Sequence, residues 1–175
     1  MGYRLRSIYF LIPLIVLLFV LIVLPAYESG LAENARSPIP PPSLKVSSWL
    51  LMDSRTGTVI ASENQNKRVE PASLSKLMTA YVVCQESQRG ILGLDEGVNV
   101  SERAWKTVGS LVFIEPGDRV RVEDLLLGLI VQSGNDAAVA LAEHVAGSEA
   151  GFADLMNQAA VKMGLKNTHF VNSTG

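Results

Sequence analysis

Hydrophobic and polar positions change rhythm several times along the chain, and each rhythm predicts a different element. Residues 8–24, "IYFLIPLIVLLFVLIVL", form an apolar run without a charge, preceded by Arg4 and Arg6 and followed by the small and polar "PAYESGLAENA". A basic flank, a long apolar stretch and a small-x-small pair at Gly30 and Ala32 are the layout of a signal peptide, with cleavage expected after Ala32. The alternative is an uncleaved anchor, because the run reaches the lower limit of about 17 residues for a membrane span. Both readings carry the remainder out of the cytoplasm. Residues 33–46 include the proline-rich "SPIPPPS", which cannot form helix or a central strand and serves as a linker. Short apolar runs "SSWLLMD" and "TVIAS" then flank "SRTG". They predict a β-hairpin over residues 47–62, with Gly57 supplying the positive φ of its loop.

From residue 72 to 87 the period becomes helical. Leu74, Leu77, Met78, Tyr81, Val82 and Gln85 fall at the spacing of a buried stripe, with Pro71 near the first turn and Gly90 past the end. "VNV" predicts a short strand, "PGD" a turn, and residues 122–131 a strongly apolar helix. After "QSGN" a helix is expected over 136–145, capped by Asn135 or Asp136 and stopped by Gly147, and another over 151–163 ending at Gly164. No repeat is visible. The sum is an α+β domain over residues 47–175, mainly helical with one sheet element attached.

Composition adds exclusions. Fifteen Lys+Arg against seventeen Asp+Glu give a formal net charge of -2 and no basic stripe, so no nucleic-acid partner is implied. Cys84 is the sole cysteine, which rules out an intramolecular disulfide; its place in the apolar helix predicts a packed, inert thiol. Trp49 and Trp105 are expected in the core or along a cleft wall, and His144 and His169 in surface or packing roles. No third partner in sequence supports a Ser-His-Asp triad.

The candidate chemistry lies in two short motifs. In "SLSK", Ser73 and Lys76 stand three apart, so on a helix the amine reaches the hydroxyl across one turn. A serine needs a base to become a nucleophile, and an amine serves only when held neutral, as desolvation can do. The Ser73 amide, at a helix start, is free to face an oxygen gaining negative charge. A snorkelling lysine beside an N-terminal serine has the same spacing. The second motif, "QSGND", would alone be an ordinary interhelical turn. Combined with S-x-x-K and an export signal, S-x-N at Ser133 and Asn135 matches the motif set of penicillin-recognising enzymes.

With these motifs, "FIEPGDRVRVEDLLLGLIVQSGNDAAVALAEHVAGS" and "FADLMNQAAVKMGLKNTHFVNSTG" complete a resemblance to the D-alanyl-D-alanine carboxypeptidases, the low-molecular-mass penicillin-binding proteins. It covers about residues 47–175. The resemblance implies a β-lactamase/transpeptidase-like α+β fold and an exported serine enzyme, periplasmic or on the outer face of the bacterial cytoplasmic membrane. Its substrate would be the peptidoglycan stem peptide ending in D-Ala-D-Ala, its covalent inhibitors β-lactam antibiotics, and its setting cell wall biogenesis and cell shape, with membrane association. It implies Ser73 as nucleophile, Lys76 as general base, Ser133 as proton relay and Asn135 as a substrate-binding residue, with no metal and no cofactor. "NST" at Asn172 matches a glycosylation acceptor, a coincidence in a bacterial family.

Three alternatives share parts of this pattern. A serine β-lactamase of class A carries S-D-N and a deacylating Glu, where this chain has S-G-N and no identifiable Glu. A D,D-endopeptidase shares most of the constellation. A non-catalytic penicillin-binding module is the third, because no K-T-G follows "QSGN". In the family that motif lies on a downstream strand, so the chain is expected to be an N-terminal fragment whose remaining sheet strands lie beyond Gly175, and on its own inactive and prone to aggregate.

Overall fold

The computed structural model describes residues 40–175, so the segment expected to be a signal peptide and the first half of the expected linker lie outside the described residues. Two units are distinguished, divided between Lys67 and Arg68. In the first, strands β1 (Trp49–Met52) and β2 (Val59–Glu63) pair antiparallel, with Leu50 opposite Ser62 and an irregularity between Leu51 and Met52. The hairpin is the predicted one, starting two residues later and ending one residue later than expected. Asp53 closes its turn: its Oδ1 accepts from the amides of Arg55 and Thr56 at 3.1 and 2.7 Å, while Gly57, at φ +72°, donates to the Asp53 carbonyl. The hydrogen bonds from Thr56 hold the Asp53 carboxyl below its ordinary value. Trp49 Nε1 donates to Glu63 across the pair at 3.1 Å, so this ring is a strand-edge residue.

The second unit is helical around one central rod. A 3-10 turn (Ala72–Ser75) leads into α1 (Lys76–Gln88). Strand β3 (Gly97–Asn99) pairs antiparallel with β4 (Arg119–Arg121), with the short α2 (Glu102–Trp105) between them. Helices α3 (Val122–Val131), α4 (Asn135–Ala146) and α5 (Glu149–Lys162) follow. The β3–β4 ladder is a second sheet element; sequence marked one of its strands and not the partner.

Helix α4 is the rod because its sequence, "NDAAVALAEHVA", is apolar on nearly every face. Residues 137–142 are all buried, and α1, α2, α3, α5 and β3 pack around them. A helix apolar all round is stable only when enclosed, and the alanines let its neighbours approach closely. Phe152 and Met156 of α5, Leu125 and Leu129 of α3, and Val83 of α1 complete the core. Helix ends follow local chemistry. Ser101 and Ser148 cap α2 and α5 through their hydroxyls, and Gly147 ends α4 at φ +73°. No helix among the described residues is long and apolar enough to cross a membrane.

The stripe expected on α1 is corrected. Leu74 and Leu77 are exposed at 67% and 72%, and Tyr81 is exposed as well, whereas Ser75, Lys76, Met78, Thr79, Val82 and Val83 are buried. The helix is apolar on more than one side, and α4 and α5 take the side carrying Thr79 and Val83. Cys84, read as packed, is exposed on the opposite flank for the same reason. Trp105 is half exposed at 49%, beside Leu111 and Phe113, so it is a wall residue and not core.

Candidate active site

The sequence pattern places Ser73 inside a helix starting at residue 72; the structure puts it in the 3-10 turn, three residues ahead of the first residue of α1. Within that turn the first amide to find a carbonyl is that of Leu74, which donates to Pro71 O at 3.1 Å. The Ser73 amide therefore precedes the hydrogen-bonded ladder. Ala72, immediately before it, has φ +47°, a left-handed conformation costly for a residue with a Cβ. Ser73 itself is exposed.

Lys76 is its opposite. It is only 5% exposed, and its Nζ donates to Ser73 Oγ at 3.1 Å. Burial holds the amine below its ordinary value of 10.5. An amine so displaced is more readily neutral, and in that state the bond reverses: the serine hydroxyl donates to the nitrogen lone pair. The predicted pair is brought together as the one-turn spacing requires.

The second motif is built differently from the expected cap. Gly134 is the N-cap of α4 and makes no side-chain bond, so neither Asn135 nor Asp136 caps the helix. Ser133 has φ +55°, a second strained non-glycine residue. Asn135 donates through Nδ2 to Val108 O at 2.6 Å and through its amide to Ser110 O at 2.7 Å. Its side-chain carbonyl is left as an acceptor. Gly109, at φ +105°, is required beneath it, since a Cβ there would lie 2.6 Å from Asn135 Nδ2. Among the described residues no hydrogen bond joins Ser133 or Asn135 to Ser73 or Lys76; the helices that carry the motifs, α1 and α4, pack directly.

Sequence reasoning passed over Asp136 as anything but a cap candidate. It is 1% exposed and stands at the head of the buried run 137–142. A carboxylate in a helix apolar on all other faces must itself be buried and bonded, and that signal was available. His144 lies with Nε2 at 3.0 Å from Glu96 Oε1, and His169 is exposed; neither approaches a serine by any hydrogen bond among the described residues.

An exposed hydroxyl, a buried amine with depressed basicity and a helix-start amide are the parts of an active-serine site. Residues 34–175 match the family model for D-alanyl-D-alanine carboxypeptidase, and the chain belongs to that family. D-alanyl-D-alanine carboxypeptidase DacC of Escherichia coli (strain K12) is 44% identical over 145 residues, which cover 79% of this chain and 36% of that protein. DacF of Bacillus subtilis (strain 168) is 41% identical over 128 residues, covering 73% and 33%. Among solved structures, penicillin binding protein 6B from Escherichia coli superposes with a TM-score of 0.72 at 43% identity, over 81% of this chain and 47% of that one. The D-alanyl-D-alanine carboxypeptidase DacD from Francisella tularensis gives 0.73 at 42% identity, over 84% and 36%. The chain thus spans about a third of the length of these curated relatives. Its fold is that of the penicillin-binding proteins, as the sequence resemblance implied.

Proposed function

We propose that this chain carries the nucleophile half of a serine-type D-Ala-D-Ala carboxypeptidase, which removes the terminal D-alanine from peptidoglycan stem peptides and is acylated by β-lactams. The observation that carries the reading is the 3.1 Å bond between Ser73 Oγ and the buried Lys76 Nζ. Neutral Lys76 takes the hydroxyl proton as Ser73 Oγ attacks the carbonyl carbon between the two D-alanines. The oxyanion that forms is met by the Ser73 amide. Ser133 passes a proton to the departing D-alanine nitrogen, and the amide breaks to leave an ester on Ser73. Asn135 Oδ1 accepts from the substrate amide N–H, its orientation set by the bond from Nδ2 to Val108 O. Water then hydrolyses the ester. The names of the relatives, carboxypeptidases and penicillin-binding proteins, support the same substrate class.

The basic, apolar and small-x-small segments at the N-terminus support export to the periplasm or the outer face of the cytoplasmic membrane. Mass spectrometry of the mature protein from a bacterial envelope fraction should find Glu33 as the first residue; an intact Met1 would replace cleavage with anchoring. For the chemistry, the full protein should be labelled by a fluorescent penicillin and release D-alanine from a D-Ala-D-Ala peptide, and Ser73→Ala should lose both. Label retained by Ser73→Ala would move the nucleophile elsewhere.

A further inference from the structure

Asp136 has a feature the scheme above does not use. Among the described residues, every hydrogen bond its carboxylate accepts comes from a backbone amide. Val112 N lies at 3.0 and 3.1 Å from the two oxygens, Phe113 N at 2.9 Å, Ile114 N at 3.4 Å and its own neighbour Ala137 N at 2.9 Å. Three successive amides converge on one anion because Phe113 is held at φ +63°, which turns its peptide units to the same side. This is an anion nest, here filled by a carboxylate of the same chain. Phe113 itself is 82% exposed, and a cavity of about 120 Å³ opens among Trp105, Leu111, Phe113 and Asp136. Asp136, with Val112 and Ile114 turned inward, is what keeps the loop in this shape.

The same loop sets Asn135. Residues 108 and 110 are bound by Asn135 and residues 112–114 by Asp136, so two adjacent residues of α4 staple the loop at both ends. We propose that Asp136 is a positioning residue for the acylation reaction: by filling the 112–114 nest it fixes the loop whose Val108 carbonyl orients the Asn135 amide. The inference rests on the functional reading of Asn135 given above. Loss of the nest lets residues 108–110 drift, and misplacement of a substrate-holding group by about 1 Å costs on the order of 100-fold.

The test uses the full protein, with fluorescent penicillin as probe. Active sites are first counted by burst titration, and the acylation rate is then measured per active site across pH. Asp136→Asn turns an N–H₂ toward backbone N–H donors whichever way the amide faces. The rate per site should fall about 10- to 100-fold, while its pH midpoint, which reports Lys76, should not move. A role confined to folding would lower the count of active sites and leave the rate per site unchanged, and that result overturns the proposal. Two variants on the exposed side of the nest serve if Asp136→Asn fails to fold. Phe113→Pro removes one donor and forbids φ +63°, and should reproduce the fall. Phe113→Gly keeps the nest and removes the ring, and should lose at most a few-fold; equal damage from both would assign the effect to the ring and sink the nest. Amide exchange of the wild type should show residues 112–114 protected, and unprotected exchange rates there count against the staple. Ser73→Ala is the separate control, since label that survives it refutes the functional reading and not the nest.

Discussion

Replacing Lys76 by methionine should uncouple activity from stability. Met fills nearly the same volume with an apolar chain, so the buried space that Lys76 occupies at 5% exposure stays filled. What disappears is the base 3.1 Å from Ser73 Oγ. A positioned general base contributes about 10²- to 10⁴-fold, which corresponds to about 3 to 5 kcal/mol of barrier. Acylation by fluorescent penicillin, followed by stopped-flow in the full protein, should slow by that factor. Stability should move the other way. Burial lowers the folded-state pKa of Lys76 below its ordinary 10.5, so between the two values the unfolded chain binds more protons than the folded one. Wild-type stability attributable to this group therefore rises with pH across that window, and below it the folded protein bears the full cost of a desolvated ammonium. Lys76→Met bears none. Its unfolding midpoint in urea should match or exceed that of wild type at neutral pH, with the gap closing as pH rises toward 10.5. Acylation within tenfold of wild type, or a gap that widens with rising pH, would refute the assignment of Lys76 as a desolvated base.

Three further outcomes follow from the packing. Thr79→Val, isosteric at a fully buried position, strands the Ser173 carbonyl that Thr79 Oγ1 bonds at 2.7 Å; urea unfolding should show a loss of about 1 to 3 kcal/mol, and no loss would mean that water reaches the site. Gly147→Ala meets no atom within 4 Å of its new Cβ, so its cost is the left-handed φ of +73° alone; about 1 kcal/mol by thermal unfolding is expected, and a larger effect would show a steric contact. Arg121 bonds Asp124 through Nε and Nη2, both at 2.9 Å, and this lowers the Asp124 pKa below 3.8. The support it lends is present above 3.8 and lost as pH falls through the folded value; Asp124→Asn should flatten that acid limb in a Tm-against-pH series, and a limb that stays in place would assign it to other carboxylates.

The sequence by itself carried much of what depends on neighbours along the chain, though it missed the Gly134 cap of α4 and the 3-10 turn ahead of α1. The hairpin is legible because short apolar runs and a turn glycine act locally, and Asp53 and Gly57 close the turn within five residues. Helix α3 begins and ends where its apolar run does, from Val122 to Val131. The Ser73–Lys76 pair is likewise local, since a single turn brings i and i+3 together whatever packs outside. Tertiary structure decided which side of each helix faces inward. Leu77 and Tyr81 of α1, with Leu74 in the turn before it, make as good a stripe as Met78, Val82 and Val83, and the choice fell to the partners, α4 and α5, which lie far off in sequence. The same holds for Cys84, turned outward, and for Asp136, whose role rests on amides more than twenty residues earlier in the chain. Strained φ values at Ala72, Phe113 and Ser133 also had no sequence signal. A residue with a Cβ is held in the left-handed region only by contacts from elsewhere in the fold, and those contacts exist only once the helices have packed.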